Sequence, residues 1–178
     1  MKNRGFTLIE LLIVVLIVGV LVAVAVPQYE KSVMRSRLAE TKTMLRSVLP
    51  AVEEYCLANP DGNIDMSNLS INYPLTNGLW WGKNTVVSIS GTCPRFLRTG
   101  ESGYSNMRNP VIMGLVCKSN ISTSMSEEEL MKSAYASLGI TRSGQFICEG
   151  GISGNATCAE LGFQASDLCY YGDCLWVD

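Results

Sequence analysis

A long apolar run near the amino terminus constrains this chain more than any other feature. From Leu11 to Val26 there is no charged or polar side chain, whereas Glu10, immediately before the run, is ionisable. A carboxylate at this position is costly to place in lipid, and intramembrane ionisable residues usually have a partner and a function. Glu10 is therefore the residue that says most about what the chain does.

The run is long enough to cross a membrane once. Residues 6–26 would form a helix of about 31 Å, which matches the hydrocarbon thickness of a bilayer. Lys2 and Arg4 precede it, so the positive-inside rule predicts a cytoplasmic amino terminus and an exported remainder. The alternative is a signal peptide cleaved near Ala23-Val24-Ala25, as in a secreted, disulfide-rich binding domain. The length of the run and the presence of Glu10 count against that alternative.

Composition argues against several functional classes. The chain has no histidine, so catalytic triads that use one are unavailable and we expect no enzyme. Its 14 basic and 16 acidic side chains do not favour binding to nucleic acid. Seven cysteines indicate an oxidising compartment. Because the chain has neither histidine nor a C-x-x-C pair, we expect no metal site and no cofactor.

Helical patterning continues beyond the apolar run. Pro27 cannot donate a hydrogen bond to the carbonyl of Ala23, so it predicts a kink, and Pro50 predicts a second one. The segment Asn59-Pro60-Asp61-Gly62 predicts the end of the helix. Between residues 27 and 58 the apolar side chains fall roughly on one face, as in an amphipathic helix. They are Tyr29, Val33, Leu38, Leu45, Val48, Val52 and Tyr55.

The remaining residues, 59–178, are typical of mixed strands and short helices. Alternating residues predict a strand at Thr85–Ser90, and a largely apolar run predicts another at Val111–Cys117. Ser126, followed by three glutamates, has the pattern of a capping box. It predicts a helix that begins there and ends at Gly139.

Two pairs of adjacent aromatic residues, Trp80-Trp81 and Tyr170-Tyr171, are candidate stacking surfaces for DNA or sugar. Neighbouring residues of a strand point to opposite faces of the sheet, so one member of each pair is more simply a core residue. We therefore predict no nucleic-acid partner.

The segment Gly5-Phe6-Thr7-Leu8-Ile9-Glu10, with the apolar run after it, resembles the amino terminus of type IV pilins and type II secretion pseudopilins. The resemblance covers about the first 40 residues. It implies that a prepilin peptidase cleaves the chain after Gly5 and then methylates the new amino group of Phe6. It also implies an α+β fold, in which a long amino-terminal helix packs on a small antiparallel sheet.

The resemblance implies four parts: a leader peptide at 1–5, a transmembrane and filament-core half-helix at 6–26, an amphipathic half-helix at 27–58, and a disulfide-containing head at 59–178. The implied function is that of a structural subunit of a type IV pilus-like filament, with a type II secretion pseudopilin in protein export as the alternative. The implied location is the bacterial inner membrane for the precursor, and a periplasmic or extracellular filament after assembly. The implied partners are the prepilin peptidase, identical or related pilin subunits, the inner-membrane assembly platform and membrane lipid.

The family pattern gives Glu10 a specific role. After cleavage, Phe6 would carry a cationic amine, and a carboxylate one helical turn away would attract the amine of a neighbouring subunit. An unpaired carboxylate is costly in a low dielectric, so pairing would favour docking in one register. The simpler alternative is that Glu10 reaches the lipid headgroups or pairs with its own terminus.

Disulfide bonds are expected in the head. The resemblance implies a link between a strand cysteine and one in a short helix, which points to Cys148 and Cys158. Cys169 and Cys174 remain as a second nearby pair. The other candidates are Cys56 at the end of the long helix, with either Cys93 or Cys117 as its partner. An odd number of cysteines leaves at least one without an intrachain partner.

Overall fold

The computed structural model describes residues 7–97, 112–149, 155–170 and 173–177, and its side chains at 7–97, 112–148, 158–164 and 177. The chain divides into two compact units, Met1–Arg35 and Ser36–Asp178. One helix, α1 (Leu8–Ala58), begins in the first unit and ends in the second.

From Leu11 to Val26, within the first unit, α1 is apolar on all sides and exposed on all sides. The exposed fraction is 81% at Leu8 and still 48% at Val26. Within the described residues, α1 is the one helix long and apolar enough to cross a membrane, with a mean hydropathy of 3.2 in its most apolar stretch. The helix continues through Pro27 and Pro50 without interruption, so kinks at these residues stay predictions.

In the second unit, α1 is amphipathic, and its buried residues recur every three or four positions. They are Leu38, Thr41, Met44, Leu45, Val48, Ala51, Val52 and Cys56. Cys56, rather than the predicted Tyr55, is buried at the end of this face. The helix ends at Ala58, where the sequence predicts its end, because the residue before a proline disfavours the helical conformation and Pro60 follows Asn59.

Eight strands of the described residues form one sheet in the order β1-β2-β3-β4-β5-β6-β8-β7, and every neighbouring pair is antiparallel. The strands are β1 (Leu75–Thr76), β2 (Leu79–Trp81), β3 (Thr85–Ile89), β4 (Ile112–Cys117), β5 (Ala134–Ile140), β6 (Phe146–Glu149), β7 (Gln164–Tyr170) and β8 (Asp173–Val177). The α+β architecture predicted from the sequence is therefore confirmed. Strands β3 and β4 match the two predicted strands within the described residues.

The second half of α1 packs closely on one face of this sheet. Val87 of β3 and Gly114 of β4 are paired on that face. A Cβ atom added at Gly114 would lie 2.6 Å from Cγ2 of Thr41, so only glycine leaves room for the helix. The Thr41 hydroxyl also donates a hydrogen bond of 2.8 Å to Oγ1 of Thr85, and Thr85 donates one of 2.9 Å to the carbonyl of Leu115.

Three short α-helices of the described ranges join the strands: α2 (Cys93–Leu97), α3 (Glu127–Ser133) and α4 (Asn155–Glu160). The predicted capping box of α3 is confirmed. Oγ of Ser126 accepts a hydrogen bond from the backbone N–H of Glu129, and the Glu129 carboxylate accepts one from the backbone N–H of Ser126.

The predicted end of that helix is wrong. The helix stops at Ser133, and Ala134–Ile140 forms the strand β5 instead. The apolar side chains of Ala134 and Leu138 fit a helical period, but they also fit the alternation of a strand. The segment pairs with β4 from Ala134 to Ile140 and with β6 from Ser137 to Ile140, and this tertiary context overrides the local pattern.

Candidate assembly site

The amino-terminal end of α1 is organised around Glu10. Its Oε2 atom accepts hydrogen bonds from the backbone N–H of Thr7 at 2.8 Å and from the Thr7 hydroxyl at 2.7 Å. In return, the Thr7 hydroxyl accepts a bond of 3.3 Å from the backbone N–H of Glu10. These reciprocal bonds form a capping box, which satisfies amide donors that the first turn of a helix otherwise leaves unpaired.

The contact between Thr7 and Glu10 is not among the contacts predicted above from the sequence. The signal was present, because Thr7 and Glu10 have the spacing of a capping box immediately before an apolar run. The contact has a chemical consequence for Glu10. Both bonds to the carboxylate end on Oε2, and Oε1 accepts none from the described residues. One oxygen therefore holds the start of the helix, and the other is open to an additional donor.

The surface that follows Glu10 is a continuous apolar cylinder. The large apolar side chains from Leu8 to Val26 are about half exposed or more, and none of them is buried. Gly19 lies in the middle of this cylinder, and a Cβ atom added there would meet nothing within 4 Å. Packing within this chain therefore does not require a glycine at position 19. In membranes, small residues such as glycine allow two helices to approach each other closely.

The predicted cleavage and methylation residues, Gly5 and Phe6, lie outside the described residues. Their roles stay predictions. The described part of the site is therefore the segment from Thr7 onwards, in which the capping box and the apolar cylinder are consecutive.

Two disulfide bonds occur in the described part of the head. The first disulfide joins Cys56 at the end of α1 to Cys93 of α2, and the second disulfide joins Cys148 of β6 to Cys158 of α4. The second disulfide is the pair that the pilin resemblance implies. In the backbone register of β7 and β8, Cys169 lies opposite Cys174, but their side chains lie outside the described part.

Cys117, a candidate partner of Cys56, is a free and fully buried thiol. It packs with Val86 and Leu130, on the face of the sheet that α1 does not cover. That position separates it from Cys56, which belongs to α1. Burial raises the pKa of the Cys117 thiol, so it is a weak nucleophile and behaves as a small apolar side chain.

The aromatic pair Trp80-Trp81 divides between the two faces of the sheet, as predicted for adjacent residues of a strand. Trp80 is 1% exposed and belongs to the core under α1, whereas Trp81 is half-buried on the opposite face. The second aromatic pair lies outside the described side chains. Within the described ranges, no three or more Cys, Asp or Glu side chains cluster closely enough to hold a metal ion.

Comparison with known proteins agrees with the geometry of the amino-terminal segment. Residues 1–26 match the family described as the prokaryotic N-terminal methylation motif. The chain is 38% identical over 92 residues to the type IV major pilin protein PilA of Myxococcus xanthus, which covers 52% of this chain and 40% of that relative. It is 28% identical over 131 residues to a fimbrial protein of Neisseria meningitidis, covering 72% and 64% of the two chains.

A third relative is the fimbrial protein EcpC of Eikenella corrodens, which is 36% identical over 90 residues and covers 51% of this chain and 58% of the relative. The chain thus spans less than two thirds of the length of each of these relatives. The methylation motif, the apolar amino-terminal helix with its glutamate, the antiparallel head and these matches agree with one another. The chain is similar to type IV pilins and fimbrial proteins, and it carries the prokaryotic N-terminal methylation motif.

Proposed function

We propose that this protein is a structural subunit of a type IV pilus-like filament and that it polymerises through the first half of α1. The observation that carries the proposal is the apolar cylinder from Leu8 to Val26. It is exposed on every side, and it contains one carboxylate, that of Glu10, near its amino-terminal end. A helix that is apolar all round needs either lipid or other helices around it. Lipid would provide this environment for the precursor, and neighbouring subunits would provide it in the filament.

The precursor would lie in the inner membrane with its amino terminus in the cytoplasm. Lys2 and Arg4 before the apolar segment support this orientation. A prepilin peptidase would cleave after Gly5 and methylate Phe6, and the match of residues 1–26 to the methylation motif supports both steps. The filament would then assemble on an inner-membrane platform and extend into the periplasm or beyond the cell.

Glu10 would select the register in which a subunit docks. Oε2 is occupied by Thr7, whereas Oε1 accepts no hydrogen bond from the described residues. The Oε1 atom is therefore available to the amino group of Phe6 on a neighbouring subunit. A charge-assisted bond of this kind is stronger than a neutral one, and it can form only where the two helix ends coincide.

The same amino-terminal features would serve a type II secretion pseudopilin. The printed names of the relatives, a major pilin and two fimbrial proteins, support the pilus. They also support a structural rather than an enzymatic role.

Two substitutions at Glu10 separate docking from helix capping. Glutamine at this position keeps a capping acceptor but removes the charge, whereas valine removes both. We expect Glu10→Gln and Glu10→Val each to be cleaved and inserted, yet to yield little or no filament in a strain that expresses only the variant. The measurement is the amount of subunit in sheared filaments relative to the amount in the membrane. Wild-type filament from Glu10→Gln would show that the residue acts as a cap only.

A further inference from the structure

The face of the sheet opposite α1 carries a cavity of about 740 Å³. Its floor is formed by Trp81, Val86 and Leu115, and its roof by Leu130 and Met131 of α3. Pockets that bind small molecules in proteins commonly have this size and are lined mainly by apolar and aromatic side chains, with a few polar groups.

The cavity exists because α3 is too short to cover the face. The helix has seven residues and buries one side chain, Leu130, against Val86 and Cys117. Leu79, Trp81 and Leu115 pack against this cluster but remain partly exposed. The result is an apolar wall with an open side, independent of the surface through which α1 would assemble.

The indole of Trp81 is fixed in this wall. Its Nε1–H donates a hydrogen bond of 3.0 Å to the carbonyl of Thr76, so the polar edge of the ring is already satisfied. A ligand would therefore meet the apolar part of the ring without removing a hydrogen bond. Met113, Met125 and Met131 also line the cavity, and methionine side chains adapt readily to ligands of different shape.

The described residues that line the cavity carry negative charge only. Asn77 and Ser126 are neutral, and Glu127 is the one charged residue among the described lining residues. The two glutamates that follow Glu127 in α3 already have partners within the helix. Glu128 forms a 2.6 Å ion pair with Lys132, and Glu129 belongs to the capping box. Glu127 is exposed and has no ion pair or hydrogen bond with the described residues, so its carboxylate at the edge of the apolar wall can accept a cationic partner.

We propose that this cavity binds small apolar amines. The apolar body of the ligand occupies the space between Trp81, Leu115 and Met131, and its ammonium group pairs with the carboxylate of Glu127. An anion with the same body is repelled by Glu127, and a neutral analogue loses the charge pair. The proposal concerns ligand binding by the head and does not depend on filament assembly.

The test uses three probes that share a naphthyl body and differ in charge. They are 2-(1-naphthyl)ethylamine, 2-(1-naphthyl)ethanol and 1-naphthylacetate, titrated by ligand-detected NMR against the full-length chain in lipid nanodiscs, with empty nanodiscs as the blank. We expect a millimolar Kd for the amine, as is usual for a ligand of about a dozen heavy atoms. We expect the amine to bind about two- to fivefold more tightly than the alcohol, and the acetate to bind most weakly.

Two exposed glutamates of α3 provide a matched pair of variants. Glu127→Gln should reduce amine binding to the level of the alcohol, whereas Glu128→Gln, one residue away and outside the lining, should leave it unchanged. Met131→Lys, at a residue 45% exposed, should reverse the order of amine and acetate. Equal binding of the three probes, equal effects of the two glutamate variants, or no binding above the empty nanodiscs would overturn the proposal.

Discussion

The close contact between α1 and the sheet leads to a prediction at Gly114. A Cβ atom there would lie 2.6 Å from Cγ2 of Thr41, whereas the nearest atoms of Leu45 would be at ordinary contact distances of 3.4 and 3.5 Å. Gly114→Ala should therefore create one clash, with the methyl group of Thr41. Rotating the Thr41 side chain away from the new methyl group would break its 2.8 Å hydrogen bond to Thr85. The clash therefore cannot be relieved without a loss of stability. Overpacking of this kind costs about 1–3 kcal/mol in unfolding free energy.

A second substitution should relieve the clash. Thr41→Ser removes Cγ2 and keeps the hydroxyl that bonds to Thr85. Alone, it should cost about 1 kcal/mol, because one buried methyl group is lost. In combination with Gly114→Ala the new methyl fills the space, so the double variant should be about as stable as Thr41→Ser. The coupling free energy should then be about 1–3 kcal/mol, within the range found for residues in contact.

The assay is thermal unfolding of the full-length chain in detergent micelles, followed by tryptophan fluorescence. For a domain of this size, 1 kcal/mol corresponds to a change in Tm of about 3 °C. We expect Tm to fall by about 3–9 °C for Gly114→Ala and by about 3 °C for both Thr41→Ser and the double variant. Additive effects of the two substitutions, or an unchanged Tm for Gly114→Ala, would refute the reasoning from helix–sheet packing.

Three further predictions concern the head. Replacing both cysteines of the first disulfide by serine should cost about 4 kcal/mol, and the same change in the second disulfide about 3 kcal/mol, because the closed loops span 37 and 10 residues. The fall in Tm should therefore be larger for the first pair, and the opposite order would contradict the loop-length argument. Ser126→Ala should lower the unfolding free energy by about 1 kcal/mol through loss of the α3 cap, measured by denaturant titration; no change would exclude the cap. Hydrogen bonds from Ser126 lower the pKa of Glu129 below its ordinary value, so its contribution is present near neutral pH and is lost as pH falls through the folded-state pKa. Glu129→Gln should accordingly flatten the acid limb of the stability profile, and an identical limb would contradict the assignment.

The sequence predicts the helix ends of the molecule and its apolar amino-terminal run well because their signals are local. The apolar run, the helix stop after Ala58 and the capping box at Ser126 each depend on residues that are close together in the chain. Thr7 belongs to the same class, and the spacing between Thr7 and Glu10 was sufficient to find it.

The parts that the sequence does not predict depend on contacts between distant segments. Ala134–Ile140 has apolar residues that suit a helix or a strand, and only the neighbouring strands β4 and β6 decide between them. The partner of Cys56 is determined by the face on which each cysteine lies: Cys117 is on the far face, which leaves Cys93. The cavity beside Glu127 depends on which residues of four strands, β2 to β5, share a face, so no local pattern indicates it.

The central claim, that this chain is processed as a pilin and assembles through its amino-terminal helix, is tested most directly at the amino terminus of the mature protein. The measurement is mass spectrometry of the amino-terminal peptide from sheared filaments, with Gly5→Val as a control in which the precursor should keep Met1 and remain in the membrane. We expect the mature chain to begin at N-methylated Phe6, with Glu10 as its fifth residue. A mature chain that begins at Val26 has lost both Glu10 and the apolar cylinder, and that result would contradict the account.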